Sequence, residues 1–222
     1  MMKIRMNNTI LRIALIGLLF CGLKTSSFAQ EVENNYQYRF GLDMNWTLLK
    51  GLKVNFAPQM RFEEGFEQFQ LGAGLRYKTF GFLYWGANFR LEVEPSDEYV
   101  QGADKYGRYA FDVTARKKYG DFTPSLRMMY SNYTNADITD SEYFRYRAMV
   151  KYDIPKCPIT PYVSAEAFQE LAENMLYKMR YTAGFDFKVK KGRYLNFNYK
   201  LDYFILDYKN RHIFDIGYKF DF

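Results

Sequence analysis

Large apolar side chains take every second place along most of the chain beyond residue 35, with polar residues and glycine in the gaps. The closing stretch His212 to Phe222 shows this most plainly: Phe214, Ile216, Tyr218, Phe220 and Phe222 alternate with Asp215, Gly217, Lys219 and Asp221. A side-chain period of two belongs to a β-strand with one apolar and one polar face. The same pattern predicts strands over 36–49, 52–62, 67–78, 83–93, 109–115, 122–130, 144–152, 159–167, 176–189, 195–203 and 212–222. Eleven alternating segments in regular hairpins leave little room for a second domain.

Two kinds of fold alternate in this way, and bulk separates them. A soluble β-sandwich or lipocalin-like barrel turns its apolar face onto one small core. Here that face carries nearly all of 21 phenylalanines and 21 tyrosines plus both tryptophans, too much volume for the inside of a compact barrel. The other face repeatedly places glycine, at Gly41, Gly72, Gly74, Gly86, Gly184 and Gly217, which suits the curved inner side of a closed sheet. The expected fold is therefore all-β, a transmembrane antiparallel β-barrel of about 10 to 12 strands of the outer-membrane type, its apolar face toward lipid and its polar face toward the lumen.

The connections carry a second message. Those at 50–51, 79–81, 118–121, 153–158 and 190–192 are short, and those near 95–105 and 132–142 are long. Short turns face the periplasm in such barrels, which suits a last strand ending there but makes the first strand begin outside. The lead from Gln30 to Asn35 reaches only about 20 Å fully extended, and an odd strand count departs from the usual even number. Either one strand is missing from the reading, or 36–49 does not span as drawn.

Ile13 to Leu23 is the longest apolar run and too short for a transmembrane helix, which needs about 20 residues. It follows Lys3, Arg5 and Arg12 and precedes Ser27 and Ala29, which take the minus-three and minus-one places of a secretory signal peptide. Residues 1–29 are expected to be removed, leaving 30–222 as a single barrel domain. Cys21 follows Phe20, where a lipoprotein signal needs a small residue. The signal segment also holds Lys24 and no acid, so the formal charge of +6 falls to +2 beyond it. The basicity is thus no evidence for a nucleic-acid partner. Cys157 is the one cysteine left, and with a single histidine it makes neither a disulfide nor a zinc site.

Four stretches resemble a known family: Ser27 to Gln30, Thr160-Pro161-Tyr162-Val163-Ser164-Ala165-Glu166, Arg180-Tyr181-Thr182-Ala183-Gly184-Phe185-Asp186, and His212 to Phe222. They look like the small outer-membrane barrels of Bacteroidetes grouped as a domain of unknown function. The resemblance implies fold and location and brings no catalytic residues. Phe214, Ile216, Tyr218, Phe220 and Phe222 also look like the C-terminal signal by which barrel-assembly machinery recognises its clients.

Candidate chemistry lies on the polar face, with Arg39, Asp43, Arg61, Arg76, Arg90, Glu92, Arg108, Asp112, Arg116, Arg127, Arg145, Arg147, Glu166, Arg180, Asp186, Lys200, Asp202 and Asp215. Arginine and carboxylate in a confined interior pair bidentately and lock strand register, or they line a channel whose basic rows attract anionic solutes. The first reading gives a structural or partner-binding outer-membrane barrel of a Gram-negative bacterium with a charged, largely filled lumen. The alternative is a small porin-like channel for polar or anionic solutes. A remoter one is a lipid-modifying hydrolase using His212, with no spacing that ties it to Ser131, Ser141 or Ser164. The acidic loop Asn135 to Glu142 lacks calcium-loop spacing. Lys117, Lys118, Lys156, Lys190 and Lys191 in or beside the short turns suit anionic headgroups. No cofactor or metal is expected, and the expected partners are outer-membrane lipids, the assembly machinery and small polar solutes.

Overall fold

The structure, a computed structural model, describes residues 32–94, 104–134 and 142–222. The expected signal segment, most of the loop near 95–105 and residues 135–141 of the acidic loop lie outside the described residues. Eleven strands follow in chain order: β1 (Glu33–Leu49), β2 (Leu52–Phe62), β3 (Phe66–Thr79), β4 (Leu83–Glu94), β5 (Asp104–Arg116), β6 (Phe122–Tyr133), β7 (Tyr143–Tyr152), β8 (Ile159–Glu170), β9 (Met175–Lys190), β10 (Arg193–Phe204) and β11 (Lys209–Asp221). Each alternating segment is a strand, and each strand pairs antiparallel with the next.

The sheet closes between β1 and β11, which run parallel from Glu33↔Lys209 to Asn45↔Asp221 without a register shift. This removes the missing-strand alternative raised by the odd count. No strand is missing among the described residues, and β1 is paired along its length, with β11 from Glu33 to Asn45 and with β2 from Tyr38 to Leu49. An odd meander leaves its first and last strands pointing the same way, so only a parallel seam can close it.

Turn chemistry marks one end of the barrel. The two-residue turns Lys50–Gly51 and Lys191–Gly192 place glycine at φ 89° and 71°, where a β-carbon would be strained. The β3–β4, β5–β6 and β7–β8 connections lie at the same end, and the two longest connections lie at the other.

Burial is inverted relative to a soluble domain. Gln37, Gln70 and Asp202 are among the most completely buried side chains, and Arg39, Gln68, Glu92, Asp112, Glu166 and Asp215 are buried with them. The outward positions carry the apolar bulk, with Phe40, Leu75, Trp85, Phe111, Met128 and Phe214 all exposed and Leu126 65% exposed. Buried apolar side chains among the described residues are few: Ala110, Met129, Phe168, Phe204 and Ile213. The sheet therefore has a polar interior and an apolar exterior.

Candidate functional site

Because side chains alternate across a strand, an inward residue fixes the parity of its whole strand, and this parity puts every charge of the polar face inside the barrel. The interior has two walls of different electrostatic character.

On the β6–β11 wall each carboxylate is held by at least one cation, and two are shared between cations. Glu166 on β8 accepts from Arg127 Nη2 of β6 at 2.7 Å and lies 3.0 Å from Arg145 Nη2 of β7. Asp202 on β10 accepts from Arg180 Nε and Nη2 at 2.5 and 2.6 Å and from Lys178 Nζ at 3.0 Å, both on β9. Lys200 pairs with Asp215 across β10 and β11, and Lys151 with Asp186 at 2.7 Å. The ring of Phe168 lies beneath this cluster, 4.5 Å from the Arg145 guanidinium and 4.7 Å from Lys178 Nζ, within cation–π range.

On the β1–β5 wall, Arg39 and Arg61 meet amides instead of carboxylates. Arg39 Nε donates to Gln37 Oε1 at 2.5 Å, and Arg61 Nη1 donates to Gln68 Oε1 at 3.0 Å. Gln37 in turn donates to Glu63 and Glu67, and Gln68 to Glu92 and Glu94. Arg90 stands 3.9 Å from Glu92, and Arg108 lies over the Tyr133 ring. Asp112 accepts from Thr114 and Asn88, and Asp43 from Asn45 and Asn55. Near the turn end, Arg116 stacks over Tyr84 at 4.5 Å.

Space remains between the walls. A cavity of about 720 Å³ is lined by residues of both, Arg76 and Arg147 included. A second, of about 310 Å³, reaches Asp43, Asp186 and Lys219 and shares Ala57, Gln59, Arg90, Asn196 and Asp215 with the first. The lumen is thus less filled than its arginine content suggests, because ion pairing draws the long side chains back along the wall. Small residues add room: at inward Gly184 a β-carbon would stand 2.6 Å from the Phe197 carbonyl and 3.1 Å from the Tyr162 ring.

Several participants were not singled out from the sequence. Lys151 and Lys178 share the parity of Arg147 and Arg180, and parity alone would have found them. Arg211, 3.4 Å from Glu63, lies just before the predicted start of the last strand. The glutamines give no signal in a reading confined to charge.

His212 sits on the outward face at the seam. Its ring stacks on Tyr36 at 5.1 Å, Nδ1 meets the Tyr199 hydroxyl at 2.8 Å, and Nε2 meets Asn34 Oδ1 at 3.2 Å. Ser131 and Ser164 line the cavity on the opposite face of the sheet, and Ser141 is outside the described residues. Among the described residues no three His, Cys, Asp or Glu side chains are grouped to hold a metal ion. At the basic turn end, Lys118 pairs with Asp153 at 2.5 Å. Phe214, Ile216, Tyr218, Phe220 and Phe222 all project outward, and Phe222 stacks on Trp46 at 5.4 Å.

A family model described as "Protein of unknown function (DUF2490)" matches residues 32–212. The chain belongs to the DUF2490 family. The match takes in the Thr160 to Glu166 and Arg180 to Asp186 stretches that carried the resemblance, while Ser27 to Gln30 and nearly all of His212 to Phe222 fall outside it. Family membership thus rests on the barrel wall and not on its closing strand. No curated protein and no solved structure matches the chain.

Proposed function

We propose that this DUF2490 protein is an integral outer-membrane β-barrel, acting as a structural or partner-binding barrel with a charged and partly occupied lumen. The observation that carries the membrane part is the inverted burial: a closed sheet with buried Gln37, Arg39, Glu166 and Asp202 inside and exposed Trp85, Phe111 and Leu126 outside. In water that exterior would be an apolar patch far beyond what monomers expose, whereas in lipid it is the stable arrangement. Outward aromatics lie toward both rims, Trp46, Tyr77 and Trp85 near the turn end and Tyr36, Tyr38 and Tyr146 near the loop end, as amphipathic rings at two membrane interfaces would.

Fractionation of native cells and a heat-modifiable gel shift test this reading. Recovery in the outer membrane with a folded, faster-migrating band is expected, and recovery in the soluble fraction would sink it. A second reading, passage of small anions, is favoured by the cavity of about 720 Å³ and its excess of arginine. Planar-bilayer recording separates the two, since the partly occupied lumen gives no steady current and a passage gives an anion-selective one. The enzyme reading has its own test: release of fatty acid from labelled outer-membrane lipid that disappears in His212→Ala.

A further inference from the structure

Charge inside the barrel is uneven. Twelve arginine and lysine side chains line the larger cavity against four carboxylates, and those four do not serve both walls equally. Glu166, Asp202 and Asp215 are held by cations of β6, β7, β9 and β10. Arg39, Arg61 and Arg108 have no carboxylate within 4 Å among the described residues, and their recorded partners are glutamine oxygens or the tyrosine ring. An amide oxygen accepts the hydrogen bond but leaves the charge uncompensated.

Register adds like-charge pairs: one, Arg127 opposite Arg147, lies across β6 and β7 with Glu166 beside it, and two lie on this wall. Arg39 lies directly opposite Arg61 across β1 and β2, and Arg90 directly opposite Arg108 across β4 and β5, all four lining the one cavity. Like charges facing each other across a sheet are destabilising, and Arg39 is only 6% exposed, so water screens it poorly. Glu92 gives Arg90 a single distant contact at 3.9 Å. Two arginine pairs beside one empty volume need a counter-charge, and an anion with several oxygens supplies it through forked hydrogen bonds to more than one guanidinium.

We propose that the β1–β5 wall is a binding site for a small multivalent oxyanion, with Arg39, Arg61, Arg90 and Arg108 as its ligands. Gln37 and Gln68 hold Arg39 and Arg61 in place, which lowers the conformational cost of binding. Across the cavity, Glu166, Asp202 and Asp215 already engage Arg127, Arg145, Lys178, Arg180 and Lys200, so those side chains are less free to turn to a ligand. Phosphate and carboxylate groups share the required chemistry. The cavity of about 720 Å³ accommodates a soluble ion of this kind.

The test uses the full chain, folded in detergent and checked by heat-modifiability, so its outcome does not depend on which membrane holds the barrel. Titration calorimetry is run with inorganic pyrophosphate, with citrate and with chloride at constant ionic strength. Saturable binding of pyrophosphate or citrate at one site, on the order of micromolar, with no comparable response to chloride, is expected. Which of the two binds tighter tells phosphate from carboxylate ligands. Arg39→Gln/Arg61→Gln should weaken binding by about 100-fold, the loss of two charge-assisted contacts, while Lys191→Gln in the turn leaves it unchanged. Should the double variant fail to fold, Arg108→Gln alone is expected to cost about tenfold. A folded barrel that binds neither oxyanion, or binds them no more tightly than chloride, overturns the proposal, as does undiminished binding by a folded arginine variant.

Discussion

Asp202→Ala asks whether the lumen behaves as dry protein or as a water-filled pore. Asp202 is fully buried and takes three hydrogen bonds, two from Arg180 and one from Lys178. Its loss leaves two cations facing each other with no carboxylate between them, Arg39 and Lys200 lining the same cavity. Breaking a buried ion pair from one side costs about 3–5 kcal/mol. With a urea dependence of about 2–3 kcal/mol per molar for a chain of this size, the unfolding midpoint should fall by about 1–2.5 M. Asp202→Asn keeps one acceptor oxygen and should lose less. Lys178→Met leaves one carboxylate against one guanidinium and an apolar stem over Phe168 and Phe204, so a change within about 1 kcal/mol is expected. The assay is the loss of the heat-modifiable band with urea in lipid vesicles. A loss below about 1 kcal/mol for Asp202→Ala, the value of an exposed pair, would show that water screens the network and that the lumen is an open aqueous channel.

Deletion of Phe222 removes the Trp46 stack and the amide that donates to the Asn45 carbonyl at 2.8 Å; outer-membrane levels should drop, and unchanged levels would remove the assembly role assigned to this residue. Gly184→Ala puts a β-carbon against the Phe197 carbonyl and Tyr162 and should cost about 1–3 kcal/mol by overpacking, read from the same urea titration. Cys157 is exposed in the β7–β8 turn. If that turn faces the periplasm, a membrane-impermeant maleimide should label it in lysed cells and not in intact ones, with Cys157→Ser as the blank; equal labelling of intact cells would reverse the orientation.

Alternation made the strands legible because the two faces differ so sharply in size and polarity. From Phe40 to Phe222 one parity is mainly aromatic or aliphatic and the other mainly charged, amide or small, with Met129, Phe168, Phe204 and Ile213 as large apolar exceptions inside, so a charged inward residue settles its strand. Other features left no such trace. The seam depends on strand count and direction, which no local window contains, and it was the even-number rule that made Tyr36 to Leu49 look doubtful. The free volume was equally hidden, since it depends on where Arg127, Arg145 and Arg180 fold back to meet Glu166 and Asp202. The uncompensated arginines were hidden too, since they depend on Arg39 facing Arg61 and on Gln37 and Gln68 accepting their hydrogen bonds.

The parallel seam is also where the closing energy must come from side chains. Parallel ladders have evenly spaced, slanted hydrogen bonds and are slightly weaker per residue than antiparallel ones. Here the register is unbroken from Glu33 to Asn45, and it sets residues of like kind side by side. Tyr36 stacks on His212, Tyr38 on Phe214 and Trp46 on Phe222, with interplanar angles of 18°, 18° and 6°. Antiparallel neighbours of the same barrel more often meet tilted or edge-on, as Tyr109 meets Tyr130 and Tyr177 meets Phe204. Parallel strands present their side chains with the same lean, so flat rings in register lie face to face with a lateral offset, worth about 0.5–1.5 kcal/mol each beyond burial. Three such contacts along one seam offset the weaker ladder. They also explain why the alternating aromatic pattern is plainest in the closing strand, which must recognise a partner nearly the whole chain away.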